Sequence, residues 1–206
     1  MDQGSRLASS SSSSTAETEP STTTASTSSN KYPQGAVSTA VRLHHNDVTH
    51  YLLIQRGKAP NAGKWSFPGG RLEWGESALE GAQRELAEET SFEGLSQESS
   101  SNSHLRWHSE PYSTADSIIH GDQTTGDDAI AVPTFHYLIA ISFAELVLDP
   151  TICTDSLPKV SAQDDAKNAR WWSLQDIQSM DTDATTPGLM QRVERAEFLY
   201  QRGVLL

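Results

Sequence analysis

The spacing of apolar positions along this chain changes period several times after residue 31, and each change predicts an element. Residues 36–43, AVSTAVRL, and 51–55, YLLIQ, are rich in aliphatic and β-branched side chains without helical spacing, and read as two strands. HHND at 44–47 is the turn between them. A loop around GKAPNAGK leads to a short strand at 65–67, and Pro68, Gly69 and Gly70 then mark a turn. The period becomes helical where Leu79, Ala82 and Leu86 recur at spacings of three and four, and Ser77 with Glu80 fits a reciprocal cap at the start of that helix. Strand composition returns at 107–112, 117–120 and 132–143, and again at 170–172. Two helices follow. SLQDI begins one at Ser173, and the other has Thr186 as N-cap, Pro187 at its first position and Gly203 as its stop. Several strands with few helices predict an α+β fold, a sandwich around a central mixed β-sheet.

The flanking composition sets the domain limits. Residues 1–31 are dominated by Ser and Thr with almost nothing to bury, which predicts a disordered tail ahead of one domain over 32–206. That tail has neither the apolar core of a secretory signal nor the arginine content of an organelle transit peptide. The polar stretch at 96–104 reads as a surface loop within the domain. The most apolar run, 130–148, has the length of a membrane span, but it contains Pro133, His136 and Glu145 and is rich in β-branched and aromatic residues. It predicts a buried strand and no membrane partner.

Charge and cysteine content narrow the function classes. A formal net charge of −12 offers no basic footprint for a polymeric nucleic acid, although an acidic chain is compatible with divalent cations and with a small anionic substrate met through them. The one cysteine, Cys153, can form neither an internal disulfide nor a cysteine-based zinc site, and points to a reducing, cytoplasmic setting.

The candidate chemistry lies in the predicted helix. Glu85, Glu88 and Glu89 fall on one face near its C-terminal end. Like charges at these spacings repel by about 0.2–0.5 kcal/mol per pair, and the negative end of the helix dipole adds a similar penalty. Taken alone the cluster also reads as a solvated face, since Glu80 and Glu88 each stand four residues from Arg84 and can pair with it. Clustered carboxylates after a glycine turn equally suit a hard cation such as Mg²⁺, which prefers oxygen ligands.

The spacing as a whole resembles the Nudix box: Gly70, five residues, Glu76, seven residues, Arg84-Glu85-Leu86, one residue, Glu88-Glu89, one residue, and an apolar Phe92. The one departure is Ser91, where the family pattern has glycine. KWSFPGG before the box, and FHYLIAISF, ARWWSLQDI and the TPG-initiated helix after it, extend the resemblance over most of the chain from residue 34. It implies an α/β/α sandwich with a loop-helix-loop metal site. Mg²⁺ or Mn²⁺ would be held by Glu85, Glu88 and Glu89 with the Gly70 carbonyl, and the three glutamates are the catalytic candidates. Glu76 and Arg84 would support the box as an ion pair, and one of the glutamates or an acid from a later loop would orient water. The implied activity is hydrolysis of the pyrophosphate bond of a nucleoside diphosphate linked to another group, with small ADP-ribose pyrophosphatase-like members the most similar; AMP and ribose 5-phosphate would be the products. The alternatives are a sanitising nucleoside triphosphate pyrophosphatase and a non-catalytic nucleotide-binding module. The partner is then a small nucleotide, and the chain a monomer or homodimer.

Several residues outside the box remain open. Asp127 with Asp128, Asp164 with Asp165, and Glu145 are candidates for the later acid. Arg56 could meet a phosphate. Trp65 and Phe67 read as core more than as stacking platforms, Trp171 and Trp172 should face opposite ways, and His136 should be a hydrogen-bonded core histidine. His44, His45 and His50 have no ligand spacing and read as surface residues.

Overall fold

Two strands joined by a tight turn start the sheet. The computed structural model describes residues 32–91, 104–120, 133–148 and 156–206, all within the compact unit Tyr32–Leu206. Strands β1 (Gln34–His45) and β2 (Val48–Arg56) are antiparallel, and Asn46 and Asp47 between them take positive φ of 48° and 60°, which these two residue types tolerate in a two-residue hairpin turn. The short β3 (Trp65–Ser66) pairs with the end of β2, after which the chain turns at Pro68–Gly70 and bonds back to β1 through Thr39 N–H to Pro68 O and Val37 N–H to Gly70 O. Helix α1 (Ala78–Thr90) follows, with both bonds of the expected Ser77–Glu80 cap in place.

The second half of the chain completes a mixed sheet. Strands β4 (His104–Trp107) and β5 (Ser113–His120) run one after the other along one edge of β6 (Pro133–Val147), whose other edge lies parallel to β1 from Gln34↔Tyr137 to Leu43↔Leu146. The single strand expected at 107–112 is therefore a break between two. Pro111 has no N–H for the ladder, and the chain holds to β6 there through His108 N–H to Phe143 O and Tyr112 N–H to Ile141 O. Strand β7 (Ala166–Ser173) lies antiparallel to β2, and α2 (Leu174–Ser179) and α3 (Leu189–Gln201) follow.

Side-chain alternation divides the core between the two faces. Val41, Leu43, Leu52, Leu146 and Trp171 pack with Leu86 of α1. Ala40, Tyr51, Leu53, Phe67 and Phe143 pack on the opposite face with Ile177 of α2 and Leu189, Val193 and Ala196 of α3. The result is the expected α/β/α sandwich. Trp171 is buried and Trp172 partly exposed, as alternation requires.

Other expectations are corrected. The N-cap of α3 is Gly188, at φ +78°, and not Thr186, because the Thr186 N–H bonds to Trp65 O and ties that residue to β3. Within the described part of the run at 130–148, only residues 141–146 are buried, and at 133–136 β6 has β5 alone paired beside it. His136 there is half-exposed, with Nε2 3.9 Å from Asp116 Oδ1, and is not a core residue. Expectations placed on residues 1–31, 96–103, Asp127, Asp128 and Cys153, and on Phe92 and residues 130–132, lie outside the described residues.

A buried ionic network ties α3 to the sheet. Arg42 on β1 donates to Glu197 on α3 at 2.9 Å and to Glu145 on β6 at 3.2 Å, while Tyr51 Oη–H donates to Glu197 at 2.8 Å. Tyr200 and Arg106 complete the partners of Glu145.

Candidate active site

The glycine turn fits between β1 and the end of α1 because neither glycine has a side chain. A Cβ on Gly69 would lie 2.2 Å from Val37 O, and one on Gly70 would lie 2.5 Å from both carboxylate oxygens of Glu85. The turn therefore presses against the helix, and the Gly69 N–H donates to Glu89 Oε2 at 2.7 Å. The Gly70 carbonyl accepts the Val37 N–H at 2.9 Å and retains a second lone pair.

Arg84 holds the remaining carboxylates. Its Nε and Nη2 fork onto the two oxygens of Glu76 at 2.7 and 3.1 Å, and Nη2 also reaches Arg71 O. Its Nη1 donates to Glu85 Oε1 at 2.9 Å and to Glu88 Oε2 at 3.0 Å. Hydrogen bonding from Arg84 holds the Glu76 carboxyl below its ordinary pKa, and the same contact holds Arg84 above its own. Both box-support residues are thus engaged with each other, and one guanidinium nitrogen stands where two carboxylates converge.

Burial sets the protonation of the others. Glu85 is raised above the usual carboxylate range by loss of water, against which the Arg84 hydrogen bond works. Glu89, at 2% exposure, is pushed up to about 8 by burial, with the charges of Asp165 and Glu85 adding and the Gly69 N–H and Arg56 opposing. Glu88 remains largely in solvent.

Among the described residues, the candidate later acid whose charge acts on Glu85 and Glu89 is Asp165. The segment leading to it docks on the C-terminal end of α1, where Ser161 N–H donates to Thr90 O and Gln163 N–H to Glu89 O. Gly57 N–H donates to Asp165 O at 2.8 Å, and Lys58 Nζ lies 3.8 Å from Asp165 Oδ2. Glu145 is elsewhere. It pairs with Arg42, five residues along β1 from Val37, or about 16 Å at 3.3 Å per residue, and is occupied by its network on the α3 face.

Glu85, Arg84, Arg56 and Asp165 line one rim of an open cleft of about 1050 Å³. Its floor is the α3 side of the sheet, including Ala36, Ser38, Ile139 and Ile141, and its far walls are β5, the start of β6 and the first turn of α3. Phe67 and Trp65 are packed, Phe67 in the core and Trp65 edge-on to Trp172 at 5.0 Å. Sequence reasoning passed over Lys58 and Arg192, both of which line this cleft. Lys58 carried no signal beyond lying near Arg56, whereas Arg192 could have been flagged as a cation in the first turn of a helix.

The donor set fits a hard cation. All the groups are oxygens, and the Arg84 Nη1 already bridges Glu85 and Glu88 as a positive group. Among the described residues no three acidic or histidine side chains stand together as ready ligands, because Arg84 and the Gly69 N–H hold them instead.

Comparison with known proteins decides the family. The NUDIX domain profile matches residues 34–193. This chain is a member of the Nudix family. The Nudix fold is shared with the NUDIX domain of Shewanella oneidensis NrtR, solved with ADP ribose, at a TM-score of 0.56 and 18% identity over 82% of this chain and 90% of that one. A bifunctional NMN adenylyltransferase/ADP ribose pyrophosphatase of Francisella tularensis, solved with AMP and manganese, gives 0.53 and 22% over 83% of this chain and 42% of that one. Among curated proteins, a candidate 8-oxo-dGTP diphosphatase of Bacillus subtilis (strain 168) is 41% identical over 61 residues, 30% of this chain and 36% of its own. A candidate Nudix hydrolase of Caenorhabditis elegans is 44% identical over 57 residues, 27% of this chain and 16% of its own. The matched segments thus span well under half the length of these two curated relatives.

Proposed function

We propose that this Nudix chain hydrolyses the pyrophosphate bond of a small nucleotide, a nucleoside diphosphate linked to another group, with a divalent cation. The observation that carries this reading is that Glu85 and Glu88 meet on Arg84 Nη1 and Glu89 on the Gly69 N–H, with Glu85, the Gly69–Gly70 turn and Asp165 on one rim of a nucleotide-sized cleft. Glu85, Glu88, Glu89 and the free lone pair of Gly70 O would hold Mg²⁺ or Mn²⁺. Such an ion would screen the phosphate charge and favour the developing negative charge of the leaving phosphate.

The chain's own groups do the rest. Arg84 forks onto Glu76 and so ties α1 to the loop before it, and its Nη1 would give up Glu85 and Glu88 to a cation that these two carboxylates held. Arg56 and Lys58 would meet phosphate oxygens from the same rim. Asp165, whose charge acts on both Glu85 and Glu89, would accept a proton from the attacking water.

ADP-ribose is the member of the substrate class that the solved relatives bring forward, since one of them holds it. The segment similar to the 8-oxo-dGTP diphosphatase favours a second reading, release of pyrophosphate from a nucleoside triphosphate. Product release from a panel of nucleoside diphosphate sugars, dinucleoside polyphosphates and dNTPs separates the two. Monophosphate products from linked diphosphates support the first, pyrophosphate from dNTPs the second, and silence across the panel leaves a nucleotide-binding module.

A further inference from the structure

Helix α3 carries an electrostatic misfit that mirrors the one in α1. Arg192 stands in its first turn, four residues after the N-cap Gly188, where the positive end of the helix dipole disfavours a cation. The side chain is half-buried, and loss of water holds its pKa below the usual arginine value. Among the described residues no carboxylate pairs with it. Its one side-chain bond runs from Nη1 to Pro187 O at 2.7 Å, which leaves four of its five N–H donors. The local backbone makes room for this arrangement: Gly188 is at φ +78°, and a Cβ there would lie 2.9 Å from Arg192 Nη1. A desolvated cation with most of its donors free, at the wrong end of a helix, calls for an acceptor from outside the chain.

Its surroundings define that acceptor. Arg192 lines the same cleft as Glu85, and Phe67, Ile139, Ile141 and Leu189 of the apolar core line it too. Ser66 lines the same floor, and its buried hydroxyl has no hydrogen-bond partner among the described residues. Phosphates are served at the other rim by Arg56, Lys58 and Arg71, so an apolar floor with one forked donor suits a flat ring with an acceptor edge. Arginine matches the O6 and N7 acceptors of guanine in one plane, whereas adenine sets an amino donor against it.

We propose that Arg192 reads the base of the substrate, donating paired N–H groups to the O6/N7 edge of a 6-oxopurine that lies on this floor. The inference rests on the nucleotide reading of the site and sharpens it: a guanine nucleotide is preferred to its adenine counterpart, ADP-ribose included.

The test uses the full chain. GMP and AMP binding are measured by calorimetry without metal, and kcat/KM for GDP-linked and ADP-linked sugars with Mg²⁺, on the wild type, Arg192→Gln and Arg192→Lys. The wild type should favour GMP. Arg192→Gln should lose about tenfold to a hundredfold in GMP affinity, the value of a forked arginine–guanine pair, with little change for AMP. Arg192→Lys keeps the charge without the fork and should recover little; if Arg192→Gln does not fold, the lysine variant alone carries the comparison. Equal losses for both bases, or no loss, overturn the proposal. Selective GMP binding without turnover supports this inference while removing the hydrolase reading, and turnover without base preference does the reverse.

Discussion

Glu89 is a carboxylate whose one hydrogen-bond donor among the described residues is the Gly69 N–H, and burial, with its acidic neighbours adding, raises its pKa to about 8. A carboxyl whose folded pKa lies above its unfolded value keeps a proton that the unfolded chain releases. Its contribution to stability is therefore complete below about 4.5 and is lost as pH rises towards about 8. Metal-free protein should show a falling Tm across that window. Glu89→Gln, which keeps the shape and removes the ionisation, should flatten the fall, and Mg²⁺ at pH 8 should restore the wild type but not the variant. A Tm difference between wild type and Glu89→Gln that does not change with pH would contradict this account. The three clustered glutamates were legible from spacing alone, because a helix brings residues three and four apart onto one face. Their different environments were not. Burial of Glu89 and exposure of Glu88 depend on how the turn at Gly69 and Gly70 presses on the helix, a contact between segments about twenty residues apart.

At the scale of elements, the end of α1 is held by an unusual residue. Ser91, the C-cap, is at φ 38° and ψ 41°, the left-handed conformation for which the family pattern supplies glycine. The side chain costs about 1 kcal/mol there. Ser91→Gly should therefore raise stability by about that amount in chemical denaturation, with kcat unchanged, since the docked backbone of Ser161 and Gln163 still caps the helix. The departure was visible in the sequence, and so was its physical consequence. The buried network of α3 was not, because nothing in local spacing pairs Arg42 with Glu197, 155 residues away. Arg42→Met leaves Glu145 and Glu197 without that partner in a buried setting and should cost about 3–5 kcal/mol. Turnover by the folded fraction should hold, since the network lies some 16 Å along the strand from the turn at Gly70. Loss of kcat with stability intact would mean that the network reaches the site.

At the scale of the molecule, strand and helix content gave the class of fold, and the box gave its functional end. The parallel pairing of β1 with β6 and the break at Pro111 could not be read locally. The late acid was narrowed by residue type to two aspartate pairs and Glu145, and among the described candidates only the docking of the 161–163 backbone on α1 favours the Asp164–Asp165 pair over Glu145. All the site residues discussed lie within 34–193, so deleting residues 1–30 should leave turnover nearly unchanged; a large loss would give that segment a part in the site.

The most direct test of the account is product release from the nucleotide panel by the wild type, Glu88→Gln and Glu80→Gln, each with Mg²⁺ and with a chelator. Glu80→Gln keeps a residue that can complete the Ser77 cap and stands outside the site, so it serves as the control on the same helix. The account predicts metal-dependent turnover by the wild type and Glu80→Gln, and a loss of at least about a hundredfold in Glu88→Gln with its Tm unchanged or raised, since one like charge is relieved. Equal turnover by Glu88→Gln, or hydrolysis that survives the chelator, would contradict the claim that this carboxylate cluster holds the catalytic cation.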